Sequence, residues 1–161
     1  MRKPIRLLLV WSALITACKS DGATNPGDTG GPPVTTSLTC SQPGGQSAEC
    51  GLALPAAGGF SLALLGTACD ATDNTLAVTS PVSQTLTSDI CHTAAGATWS
   101  FPGPYDAGTE LRLQVTSRRF PNPPSLRATQ VSATEWMITF EDGFDSDFDD
   151  MKLQVDAVTG P

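Results

Sequence analysis

Apolar and polar residues alternate strictly along three stretches of the chain. In residues 109–116, Leu111, Leu113 and Val115 fall on one side and Arg112, Gln114 and Thr116 on the other. Residues 135–140 repeat the pattern with Trp136, Ile138 and Phe140, and residues 151–157 repeat it with Met151, Leu153, Val155 and Ala157. A period of two marks a strand with one buried face, which places Trp136 in the core. Residues 59–65, 75–79 and 84–91 are shorter, less regular candidates. Turn-forming runs separate them: Pro43-Gly44-Gly45, Gly58-Gly59, Asp73-Asn74, Pro102-Gly103-Pro104 and Pro121-Asn122-Pro123-Pro124. No stretch carries a helical period. Many short strands punctuated by turns predict an all-β fold, an antiparallel β-sandwich of jelly-roll-like type, as a single domain over residues 38–161.

The residues before that domain differ in kind. Residues 18–37 are dominated by Gly, Pro, Ser, Thr, Asp and Asn, which offers nothing to a core and predicts a disordered, flexible tether. Residues 1–17 begin with Arg2, Lys3 and Arg6 and continue into an apolar run at 7–15. That order describes a secretory signal peptide, and the run is shorter than the roughly 20 residues a membrane span needs. The leader ends Leu14-Ile15-Thr16-Ala17-Cys18, which resembles a bacterial lipobox. The resemblance implies cleavage before Cys18 and a thioether-linked diacylglycerol plus an N-acyl, palmitate-type chain on Cys18, enough lipid for stable membrane anchoring. Lys19 replaces the aspartate that retains such lipoproteins at the inner membrane, so the resemblance favours the outer membrane.

Without residues 1–17 the chain carries six basic and sixteen acidic side chains, a formal charge of about −10. That charge repels phosphate backbones, so no nucleic-acid partner is expected. With Cys18 assigned to lipid, an even set of cysteines is left: Cys40, Cys50, Cys69 and Cys91. In an exported chain these predict two disulfides. Of the three pairings, Cys40–Cys50 and Cys69–Cys91 are favoured, because each closes a short loop between candidate strands.

The stretch richest in chemistry is residues 141–150, where six acids lie between two amphipathic strands: Glu141, Asp142, Asp145, Asp147, Asp149 and Asp150. Like charges packed this closely repel unless something offsets them. Calcium does so with six to eight oxygen ligands in irregular geometry. The alternate spacing of Asp145, Asp147 and Asp149 allows convergence, and Gly143 permits a tight bend. The loop is no EF-hand, since Asp150 stands where that loop needs glycine. Phe140-Glu141-Asp142-Gly143 followed by Asp145-Ser146-Asp147-Phe148-Asp149-Asp150-Met151 resembles a domain of unknown function found in bacterial surface and secreted proteins. The likeness covers roughly residues 97–158 and includes Gly108-Thr109-Glu110-Leu111 and the proline-rich loop at 120–124. It implies a β-sandwich with calcium binding and no enzymatic activity. Asp149 departs from the asparagine usual there. A solvated acidic loop that blocks edge-to-edge strand pairing is the competing account of these residues.

Enzymatic constellations are missing from the sequence. His92 is the one histidine, and no GxSxG, HExxH or P-loop pattern occurs. The expectation is a non-enzymatic module with a structural, adhesive or binding role and a protein or glycan partner. The alternative is a carbohydrate-binding, lectin-like domain using Trp99 and Tyr105. Arg118-Arg119 read as a solvated basic pair.

Overall fold

The computed structural model describes residues 38–69, 73–117, 123–143 and 145–160. The leader, Cys18, the tether, Arg118, Arg119 and Phe144 lie outside the described residues.

Ten strands follow one another: β1 (Leu38–Gly44), β2 (Ser47–Ala53), β3 (Gly58–Gly66), β4 (Thr75–Ser80), β5 (Gln84–Thr87), β6 (Thr98–Tyr105), β7 (Glu110–Thr116), β8 (Ser125–Gln130), β9 (Glu135–Glu141) and β10 (Met151–Thr159). They form two five-stranded antiparallel sheets, β1-β2-β7-β4-β5 and β6-β3-β10-β9-β8. The described residues contain no helix. Strands are not segregated by order along the chain: β3 and β6 belong to one sheet while their neighbours β2, β4, β5 and β7 belong to the other. The all-β antiparallel sandwich expected from the alternation is therefore the fold observed.

The inner faces are the apolar faces of the pattern. Leu111, Leu113 and Val115 of β7 meet Trp136, Ile138 and Phe140 of β9 and Leu153 and Val155 of β10 in one core, all fully buried. Phe60, Leu62 and Leu64 extend it through β3, and Leu76 and Val78 through β4. Each such side chain contributes about 1.5–3 kcal/mol on burial, as an upper estimate.

Four strands escape the alternation, and each has a physical reason. β1, β6 and β8 are edge strands, so only one face or a few residues need be apolar. β6 runs through Pro102 and Pro104, which had suggested a turn. Proline is tolerated there because an edge strand has backbone amides with no partner to lose. β2 carries Gly51, over which the flexible Glu110 side chain of β7 lies, so a buried residue without a side chain interrupts its pattern. The candidate at 84–91 ends early, at Thr87. Asp89 accepts from the amide of Cys91 at 3.1 Å and its carbonyl from the Thr93 hydroxyl at 2.7 Å, and this Asx-type turn wins over continued strand.

The two disulfides are Cys40–Cys50 and Cys69–Cys91. The first joins directly paired residues of β1 and β2. The second joins the segment after β3 to the segment after β5, and so ties one sheet to the other. Two disulfides place the domain in an oxidising, extracytoplasmic compartment.

Candidate metal centre

The acidic residues occupy the connection between β9 and β10. Met151 pairs with Phe140, so Glu141 and Asp150 face each other at the base of the loop. The structure divides the six acids. Glu141, Asp142 and Asp150 are buried, with 4 %, 0 % and 5 % exposure, and each offers a carboxylate oxygen within 4.8 Å of the others. Glu141 also reaches a second group with the exposed Asp145 and Asp147. Asp149 belongs to neither group.

Backbone amides organise the buried carboxylates. Asp150 Oδ2 accepts from the amide of Asp142 at 2.7 Å. Glu141 accepts from the amide of Gly143 at 3.0 Å through Oε1 and from that of Phe148 at 3.3 Å through Oε2. The outer aspartates make a ladder: Asp145 Oδ1 accepts from the amide of Asp147, and Asp147 Oδ1 from that of Asp149, at 3.3 and 3.2 Å. The alternate spacing noted in the sequence is thus first an Asx-turn spacing. Phe148 closes the loop with a φ of 60°, a left-handed conformation unusual for a bulky residue. Its ring is held under the Arg127 guanidinium of β8, 3.4 Å from the centroid.

Among the described residues, the lysine and arginine ion pairs involve Arg112 with Glu49 and Glu110, and none involves Glu141 or Asp150. Burial pushes the Asp150 carboxyl up to about 7, and repulsion from Asp142, Glu141 and Asp145 adds to it, against the pull of the Asp142 amide. The Cys69–Cys91 bridge borders the same place: the Ala68 amide donates to the Asp150 carbonyl at 3.4 Å, and the Cys69 sulfur touches that oxygen at 3.1 Å.

The other sequence candidates lie elsewhere. Trp99 and Tyr105 of β6 are half-buried and pack on the core, with the Tyr105 ring 6.5 Å from that of Phe60. Strand alternation turns both inward with Phe101. His92 is exposed and pairs with Asp89 at 2.7 Å; it belongs to neither group of converging carboxylates. Trp136 is fully buried.

Sequence reasoning missed three polar residues with buried oxygens at the ends of apolar strands: Gln46, Asn74 and Ser117. The signal was available. Each sits one alternation step beyond a buried apolar residue, Ala48, Leu76 and Val115 respectively.

No protein-family model matches the chain, and no curated protein matches it. None of the described residues forms a helix long and apolar enough to cross a membrane.

Proposed function

We propose that the chain is an exported lipoprotein, anchored through acylated Cys18 and directed to the outer membrane, whose β-sandwich binds calcium in the β9–β10 loop and serves a structural, adhesive or binding role. One observation carries the calcium reading: three buried carboxylates converge within 4.8 Å. Two oxygens each about 2.4 Å from one calcium ion can be no further apart than that. A charged carboxylate out of water is costly unless it is paired or neutralised. A hard divalent cation offsets all three at once, and Glu141 shares its second group with the exposed Asp145 and Asp147. The reading assigns the protein no reaction.

Titration calorimetry of residues 38–161 with calcium chloride tests it, alongside thermal melts with millimolar calcium and with EDTA. Binding heat together with a higher melting temperature supports the reading. No heat and unchanged melting would leave the loop a solvated acidic cap. The anchor is tested by mass spectrometry of the mature N-terminus: a diacylated, N-acylated Cys18 is expected, and an unmodified soluble product would refute anchoring.

A further inference from the structure

The interior of the sandwich changes character at the end where the acidic loop lies. In the β1-β2-β7-β4-β5 sheet, the last apolar layer is Ala48, Val115 and Leu76, one residue from each of three adjacent strands. One step further along the same inward faces stand Gln46, Ser117 and Asn74. They lie side by side. The Ser117 amide donates to the Gln46 carbonyl at 2.8 Å, and the pairing of Thr75 with Thr116 sets Asn74 beside Ser117 on the other flank.

The same end of the opposite sheet carries the carboxylates. The Gln42 side chain of β1 donates to the Pro124 carbonyl and the Ser125 hydroxyl, both at 2.8 Å, and Ser125 pairs with Glu141. The turn end of β1 and β2 and the acidic end of β9 therefore coincide. Asp142, the next inward position after Phe140, is fully buried there. Asn74 reaches the same region, donating through Nδ2 to Cys91 Sγ at 3.5 Å, and Cys91 is bonded to Cys69 beside Asp150.

The decisive feature is Ser117. Its side chain is fully buried, points inward by alternation, and its Oγ meets no hydrogen-bond partner among the described residues. The buried Oε1 of Gln46 is in the same position. A buried hydroxyl left unpaired costs about 1–3 kcal/mol, so nearly all such groups in native proteins have a partner in protein, water or ion. Three carboxylates leave calcium short of its six to eight oxygens, and further carboxylates would add only repulsion. Neutral oxygens on the facing wall fill the shell without adding charge.

We infer that Ser117 Oγ and Gln46 Oε1 complete the cation site from the opposing sheet, so that the bound ion bridges the two halves of the sandwich. This rests on the calcium reading above. It makes the ion an inter-sheet clamp and not merely a loop ornament.

The test compares wild type, Ser117→Ala and Gln46→Met by calcium calorimetry and by melting in EDTA. Both variants keep the fold, and in EDTA Ser117→Ala melts no earlier than wild type, since it loses only an unpaired oxygen. Their calcium affinity falls on the order of tenfold. Unchanged affinity in both variants overturns the inference and leaves the calcium reading standing. An earlier melt of Ser117→Ala in EDTA marks the hydroxyl as structural and also overturns it. If wild type itself takes up no calcium, the calcium reading fails and the inference fails with it.

Discussion

The amide of Asp142 donates to Oδ2 of Asp150 at 2.7 Å, so one buried acid is held by the backbone of another. The contact fixes the Asp150 carboxylate in a buried place among like charges, and that burial, opposed by the amide bond, sets the pH response of the domain.

In calcium-free buffer the melting temperature should fall between about pH 4 and about pH 7 because of Asp150. Its carboxyl is raised from 3.8 to about 7 in the fold. Across that window the folded protein holds a proton that the unfolded chain has released. This contribution to stability is complete below about 3.8 and is lost as pH climbs through 7. Calorimetric melts in EDTA check this, with Asp150→Asn as the reference. A slope identical in the two proteins would remove Asp150 as its source.

Asp150→Asn keeps an oxygen for the Asp142 amide and discards a charge. At about pH 8 in EDTA the variant should be more stable than wild type, by on the order of 2 kcal/mol. Calcium should no longer raise its melting temperature. Urea unfolding with and without calcium measures both effects, and a variant stabilised by calcium as strongly as wild type contradicts the second.

Replacing Cys69 and Cys91 together by alanine opens a link spanning 22 residues. The loss should be about 3 kcal/mol from chain entropy. Calcium affinity should fall as well, because Ala68 and Cys69 brace the Asp150 carbonyl. Denaturant midpoints and calorimetry report the two separately. Loss of stability at unchanged affinity would show that the bridge does not position the loop.

Arg127→Ala removes the guanidinium over the Phe148 ring. At this exposed site the cost should be about 0.5–1 kcal/mol, with faster amide exchange at Phe148, whose N–H caps Glu141. Exchange rates by NMR distinguish this from a loss spread evenly over the domain.

Much of the architecture was legible because β7, β9 and β10 each bury one face. Their alternation in residues 109–116, 135–140 and 151–157 matches the observed strands to within a residue or two. The edge strands were not legible: β8 shows only Leu126 buried, and β6 hides behind its prolines. The disulfide pairing followed from loop spacing. The acidic loop was visible as a charge cluster, but its division was not, because burial of Glu141, Asp142 and Asp150 depends on β9 and β10 closing beneath them. The Arg127–Phe148 contact joins residues 21 positions apart and had no local signal. Ser117 and Gln46 could have been suspected from alternation, but only the pairing of β2, β7 and β4 puts them in one row.

The position of Cys40 has a mechanical consequence. β1 is an edge strand whose first pair is Leu38 with Leu52, followed by Thr39 with Gly51 and then the bonded Cys40 with Cys50. A pull that peels Leu38 away from β2 would break the hydrogen bonds of this strand one after another. The covalent crosspiece stops the peel after two residues and passes the tension to β2, which is gripped by neighbours on both sides. The domain can bear a tug at its N-terminal side without surrendering its edge.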